Sequence, residues 1–237
     1  MTRVPHDPSN AGLRTLVTGC GRSGTNYLCS LLRAAGRECG HEEVFDVWGW
    51  TGSPLHTESS WYAVPFMTDL PKLERVLHVV RAPEGVIRSF HRIGMLADSG
   101  VHHASRGRPV RFALRALSAP RKAAERIAYV RAHRAFFRDH APDILEARDE
   151  VARLERYWLR WNERIEAACA DRAYLRVRLE DVNDRLPEIA RFLELSRVPE
   201  ALPASNTKPG YERLAPAPFG LGPETVALAR RYGYEPR

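Results

Sequence analysis

The sequence predicts an α/β fold in which helices flank a central parallel sheet. Three strand–helix units indicate this fold, at residues 14–36, 75–92 and 173–195. In each unit a predicted strand is followed by a predicted helix, and in the second unit the strand is a nearly continuous apolar run, typical of burial on both faces. Alternation of strands and helices along a chain favours a parallel sheet with helices packed on it.

The length and composition suit one globular domain. The 237 residues are 44% hydrophobic and 27% charged, which is enough to build a full core. We expect this domain to cover residues 13–237, after a polar, Pro-containing tail at 1–12 that we predict to be disordered. Motifs are weak between residues 93 and 150, where the composition is helical, and one interpretation of this part is a substrate lid.

The first strand–helix unit contains a glycine-rich loop. An apolar strand leads into Gly19, Gly21 and Gly24, and an apolar helical run follows and ends near Gly36. Glycines let the backbone come close to a ligand, and the N–H groups at a helix N-terminus favour negative charge. We therefore predict an anion-binding loop. The alternative is a glycine-rich turn without a ligand.

Three kinds of anion-binding loop can be compared with this one. The glycine spacing matches a P-loop kinase, but Thr25 and Asn26 stand where that loop needs Lys and Ser/Thr. The residues GCGRSG satisfy the GxGxxG of an NAD(P)-binding oxidoreductase, with Glu42 near the ribose-binding position, yet no hydrophobic strand precedes that acid. The third kind has its cation before the last glycine, as Arg22 is here.

The second strand–helix unit adds two polar residues at a defined spacing. Arg81 ends an apolar run, Pro83 suits the first turn of a helix, and Ser89 follows Arg81 by eight positions. Ligands of open α/β sheets bind outside the carboxyl ends of the strands. We therefore expect Arg81 to lie where a ligand binds, with Ser89 on the helix that follows.

The stretches GCGRSGTNYL and RVLHVVRAPEGVIRSFHR together resemble the sulfotransferase family, which transfers a sulfuryl group from 3′-phosphoadenosine 5′-phosphosulfate (PAPS). The resemblance implies a P-loop-like architecture of the bacterial type, with 3′-phosphoadenosine 5′-phosphate (PAP) as product and no metal. It implies that Arg81 and Ser89 bind the 3′-phosphate, with Lys208 as the nearest equivalent of a late basic residue. It also implies that the phosphosulfate is bound by Gly21, Arg22, Ser23, Gly24, Thr25 and Asn26.

In that family the segment after the first helix carries the catalytic base, which accepts the proton of the acceptor hydroxyl or amine. Our candidate is Glu42, with His41 and Glu43 as alternates, and Arg22 would stabilise charge on the leaving oxygen. Residues 40–66, rich in aromatic and turn residues, are predicted to be a loop. Later, YWLRWNERI resembles the W-x-x-x-N pattern of bacterial sulfotransferases, and we interpret its tryptophans as core.

The net charge of the chain bears on the kind of partner it binds. The net charge is +7, and nearly all basic residues are arginines, which suit anion recognition. A non-catalytic nucleic-acid binder is the alternative. No zinc-finger, homeodomain or RNP pattern is present, and we expect no nucleic-acid partner.

The remaining expectations concern location and acceptor. The four cysteines form no CxxC pair, no apolar run reaches the roughly 20 residues of a membrane span, and the N-terminus has no signal-peptide pattern. We therefore expect a cytoplasmic enzyme with a small-molecule or carbohydrate acceptor. Neither the acceptor nor the oligomeric state follows from the sequence.

Overall fold

The computed structural model describes residues 12–98, 109–203 and 219–236. These residues fall into two compact units, the first within residues 1–81 and 160–207 and the second within 82–159 and 208–237. Of the predicted disordered tail, residues 1–11 lie outside the described part. The single domain over 13–237 and the lid over 93–150 stay predictions.

The first unit is built on a five-stranded parallel sheet with the strand order β2-β5-β1-β6-β7. Strands β3 and β4 form a separate antiparallel hairpin. The predicted α/β fold with a central parallel sheet is confirmed. The strands are β1 Thr15–Thr18, β2 Gly40–His41, β3 Phe45–Asp46, β4 Gly49–Trp50, β5 Thr57–Ser59, β6 Arg75–Val80 and β7 Ala173–Arg178.

Several of the described helices begin at a proline, because its fixed φ suits the first turn and its missing N–H needs no partner there. Short 3₁₀ turns cover Val64–Asp69 and Leu179–Asp181. The α-helices are α1 Thr25–Ala34, α2 Pro83–His91, α3 Pro109–Ser118, α4 Pro120–His140, α5 Pro142–Leu145, α6 Glu150–Ala168, α7 Leu186–Phe192 and α8 Pro223–Arg231.

The two faces of the sheet differ in chemistry. One face carries Val17, Leu77, Val79 and Val177, which pack in one apolar core with side chains of α1 and α7. Successive side chains of a strand point to opposite faces. The registers Leu16↔Glu58 and Thr18↔His78 therefore place buried polar side chains on the other face. They are Thr18, Glu58 and His78, all 0% exposed.

The prediction of a loop over residues 40–66 was wrong. This stretch supplies two strands of the main sheet, and β5 is fully buried between β2 and β1. Its residues Thr57, Glu58 and Ser59 have no apolar side chain, so no hydrophobic pattern marks them as a strand. Internal hydrogen bonds make this burial tolerable, since Ser59 Oγ donates to the carbonyl oxygen of Thr25 at 2.7 Å.

The second unit contains α2 to α5, the N-terminal part of α6, and α8. Its core includes Phe90, Tyr157 and Phe137 in edge-to-face contact, with ring centroids 5.7 and 5.6 Å apart. Trp158 packs against Tyr232 at 5.9 Å and is 0% exposed, as the core interpretation of this tryptophan predicted. None of the described helices has the length and apolar character needed to cross a membrane.

Candidate active site

The residues of the candidate site in the first unit follow the carboxyl ends of neighbouring parallel strands. The glycine loop follows β1, Glu42 follows β2, Trp61 comes two residues after β5, and Arg81 follows β6. Because parallel strands end at the same edge of a sheet, these segments share one edge, where ligands of α/β sheets bind. Arg81 Nη1 donates a hydrogen bond to the carbonyl oxygen of Arg22, at 3.0 Å, and so connects β6 to the glycine loop.

The glycine loop requires glycine at two positions. A Cβ at Gly19 would lie closer than 3.0 Å to the carbonyl oxygen of Val79 on the neighbouring strand. At Gly24 the φ angle is +96°, and a Cβ would come closer than 3.0 Å to Leu179. Arg22 also has a positive φ, of +71°. The backbone is therefore folded tightly against the sheet edge immediately before α1 begins.

The loop and the start of α1 offer hydrogen-bond donors to an anion. Gly24 is the N-cap residue of α1 and has no side chain to cap the first N–H groups, and the first turn contains no acidic residue. Ser23 is 1% exposed, and its Oγ has no hydrogen-bond partner among the described residues. A buried hydroxyl beside uncapped N–H groups fits a phosphate-like ligand. Around them, Gly21 and Thr25 are buried, whereas Arg22 and Asn26 are exposed.

The structure describes two of the three residues that were predicted to bind the 3′-phosphate. Arg81 is partly buried at the end of β6. Ser89 lies on α2 in the second unit and is 6% exposed. Lys208 lies outside the described residues. The assignment of these three residues to one phosphate group stays a prediction.

Glu42 has the geometry and the pKa of a candidate base. Its φ is +57°, and its backbone N–H donates to the carbonyl oxygen of Ser59 at 3.2 Å. Burial raises the pKa of its carboxyl to about 7, Asp46 adds to the rise, and a hydrogen bond from the indole N–H of Trp61 opposes it. A pKa near 7 suits proton transfer at neutral pH.

The two alternate bases differ from Glu42 in their surroundings. The carboxylate of Glu43 is half-exposed and accepts a hydrogen bond from Arg33 at 2.8 Å. The ring of His41 is partly buried, and burial lowers its pKa, so the ring is neutral at pH 7. Glu42 differs from Glu43 in that its carboxylate is partly buried, and its role as the base stays a prediction.

A buried polar chain behind the loop was missed by sequence reasoning. Tyr174 O–H donates to His78 Nδ1 at 2.8 Å, and His78 Nε2–H donates to Asn162 Oδ1 at 2.8 Å. Asn162 Nδ2 then lies 3.6 Å from Cys20 Sγ in the glycine loop. Burial lowers the pKa of His78 to about 3, so its ring is neutral, and the acceptor Oδ1 assigns the proton to Nε2. The only signal in the sequence was Asn162 in the W-x-x-x-N pattern.

Comparisons with known proteins agree with this architecture. No family model matches the sequence, and no curated protein matches it. The structure is similar to a solved structure described as "Sulfotransferase Domain from the Curacin Biosynthetic Pathway". The TM-score is 0.56 and the sequence identity 14%, with 100% of each chain covered. The likeness shows that the chain has the fold of that sulfotransferase domain.

Proposed function

We propose that this protein transfers a sulfuryl group from PAPS to a hydroxyl or amine of an acceptor. One observation carries the proposal: the glycine loop, with its buried hydroxyl and uncapped helix N-terminus, is hydrogen-bonded to Arg81 at the sheet edge where Glu42 also lies. The fold shared with a sulfotransferase domain supports it. So does the resemblance of the two motifs to that family.

In this proposal the chain's own groups bind the donor. Backbone N–H groups of the loop and the hydroxyls of Ser23 and Thr25 hold the phosphosulfate, with Gly21, Gly24 and Asn26 completing the loop. The guanidinium of Arg22 neutralises charge there. Arg81 and Ser89, with Lys208 as the late basic residue, bind the 3′-phosphate. This phosphate distinguishes PAPS from unphosphorylated analogues.

The transfer step is a substitution at sulfur. The acceptor oxygen or nitrogen forms a bond to sulfur, the bond from sulfur to the bridging phosphate oxygen breaks, and the acceptor proton passes to the Glu42 carboxylate. The products are the sulfated acceptor and PAP. Negative charge develops on the leaving oxygen, and in this proposal the Arg22 guanidinium stabilises it. The arginines supply the positive charge in this step, so the proposed step uses no metal.

The two other nucleotide-binding functions have less support. A kinase P-loop needs a Lys at position 25, where the chain has Thr25. The dinucleotide-binding fold needs a full strand ending at the ribose-binding acid, whereas the strand before Glu42 is β2, two residues long at the edge of the sheet. A small-molecule or carbohydrate acceptor and a cytoplasmic location remain part of the proposal.

Calorimetric titration with PAP, using NAD and ATP as controls, tests the proposed donor. We expect PAP to bind with a Kd at or below the micromolar range and the two controls to bind far more weakly. Binding of NAD in place of PAP would favour an oxidoreductase. Absence of PAP binding by the folded protein would overturn the proposal.

A further inference from the structure

Glu58 is a buried carboxylate that the proposed chemistry does not use. It lies in the middle of β5 and is 0% exposed. Strand register places it beside Gly40 of β2, directly before the turn that contains Glu42. Burying a carboxylate is unfavourable unless hydrogen-bond donors surround it, so the groups that contact Glu58 must be identified.

The donors come from the backbone that follows Glu42. Glu58 Oε1 accepts a hydrogen bond from the N–H of Glu43 at 2.9 Å. The N–H groups of Glu43, Val44 and Phe45 all act to lower the pKa of Glu58, against the larger effect of burial, which raises it to about 7. The hydrogen bond from Glu43 holds Oε1 against the turn, whereas Oε2 has no hydrogen-bond partner among the described residues.

Gly40 leaves the space that the carboxylate occupies. A Cβ at this position would come closer than 3.0 Å to Glu58 Oε2 and to Leu55. The φ of Gly40 is not in the left-handed region, so its backbone does not require glycine. The absence of a side chain there is therefore explained by the contact with Glu58.

The same turn holds Glu42 in a conformation that is unfavourable for a residue with a Cβ. The φ of Glu42 is +57°. The peptide group before Glu42 is held by the hydrogen bond from its N–H to Ser59, and the peptide group after it is held by the bond from Glu43 to Glu58. Both anchors are on β5, so this strand fixes the backbone on either side of the candidate base.

We propose that Glu58 is a positioning residue, whose carboxylate binds the turn over residues 43–45 and thereby holds Glu42 in the pose in which it meets Trp61. This inference rests on the proposed function, because Glu42 acts as the base only there. Among the described residues, Asp46 raises the pKa of Glu42, Glu43 raises that of Glu58, and the Cys39 thiol interacts electrostatically with Glu58. Trp61 supplies an indole N–H to Glu42 and thus a direct probe of its pose.

The experiment follows the Trp61 indole N–H by ¹⁵N–¹H NMR during a pH titration, with Trp61→Phe to assign the signal. In the wild type we expect a midpoint near 7, and Glu42→Gln should abolish the titration. Glu58→Ala should reduce the pH-dependent shift of the Trp61 signal by at least half and lower any remaining midpoint, because a released Glu42 leaves the indole N–H and gains contact with water. Glu58→Gln keeps an acceptor oxygen for Glu43, so its effect should be smaller. Glu38→Gln, an exposed charge change of the same kind, should leave the midpoint unchanged.

Gly40→Ala provides a second variant should Glu58→Ala fail to fold. It crowds the carboxylate without removing it, and it should reduce the pH-dependent shift of the Trp61 signal as Glu58→Ala does. A Trp61 titration with the wild-type amplitude and midpoint in the folded Glu58→Ala or Gly40→Ala protein would overturn the inference. PAP titration of the wild type separates the two proposals: absence of PAP binding overturns the donor assignment, whereas the Trp61 midpoints test the link between Glu58 and Glu42 alone.

Discussion

His78 Nε2 donates a hydrogen bond to Asn162 Oδ1 across 2.8 Å, and both residues are almost completely buried. The bond joins strand β6 to helix α6, and the Asn162 amide then reaches Cys20 in the glycine loop. Because burial keeps His78 neutral, each donor in this chain meets an acceptor. A chain of buried polar side chains, each donating to the next, thus runs from β7 to Cys20 in the glycine loop.

Asn162→Leu should destabilise the protein and weaken PAP binding. It leaves the N–H of His78 buried without an acceptor, at a cost of about 1–3 kcal/mol, and removes the contact to Cys20. Urea unfolding and PAP titration measure the two effects. In the double variant with His78→Leu, the buried donor is gone too, and the loss should be smaller than the sum of the single losses. An Asn162→Leu protein as stable as the wild type would contradict this account.

Gly24→Ala should reduce PAP affinity by at least tenfold, whereas Gly36→Ala should not change it. Both glycines have φ angles near +90°, so both variants bear a similar backbone strain of about 1 kcal/mol. Only at Gly24 does a Cβ also meet Leu179, since a Cβ at Gly36 has nothing within 4 Å. Calorimetry on both proteins separates the effect at the loop from the shared strain. Equal PAP affinities would show that the loop tolerates a side chain.

Arg81→Ala should weaken PAP far more than adenosine 5′-phosphosulfate, which lacks the 3′-phosphate. Loss of a charge-assisted hydrogen bond costs about 1.5–3 kcal/mol, or about 10- to 150-fold in Kd. The bond from Arg81 to the Arg22 carbonyl is lost for both ligands, so the difference between them reports the 3′-phosphate. Arg75→Ala, at the opposite end of the same strand, is the control and should leave both affinities unchanged. Equal losses for the two ligands would refute the assignment.

Glu42→Gln should lower turnover by about 10²–10⁴-fold while PAP binding survives, as expected for loss of a general base. In the wild type, kcat/KM should fall as the pH drops below about 7, because the base must be deprotonated and its pKa is raised to about 7. Release of PAP from PAPS in the presence of an acceptor measures both. Near-normal turnover of Glu42→Gln, together with a defect in Glu43→Gln or His41→Gln, would move the role to that residue.

Glu58→Gln should change how stability depends on pH. The pKa of Glu58 is raised from 4.5 to about 7 in the folded protein, so between these values the folded state binds the proton more tightly than the unfolded state does. The free energy of unfolding of the wild type should therefore fall, relative to Glu58→Gln, as the pH rises from 4.5 through 7. The difference amounts to about 3 kcal/mol at most. Urea unfolding at pH 5 and pH 8 measures it, and a constant difference between the two proteins would exclude a raised pKa.

The strands that could be predicted from the sequence were those with apolar patterns. Residues 76–80 form a buried strand and residues 173–178 form a further strand, as predicted, because their apolar side chains and the helices that follow them leave a signal. Strand β5 could not be predicted, since its three polar residues are buried only through partners far away in the chain, such as Glu43 and Thr25. Periodicity detects burial by apolar side chains and does not detect burial compensated by hydrogen bonds.

The sequence by itself determined the parallel α/β fold, the glycine loop at the start of α1 and Arg81 at a strand end, because each depends on local residue types and spacing. Only the tertiary structure decided that Arg81 contacts the loop, that Glu42 is held in a left-handed turn between anchors on β5, and that His78 and Asn162 support the loop from behind. These relations join residues 15 to 84 positions apart. They follow from parallel strands ending at one edge and from the burial of polar groups that must find partners there.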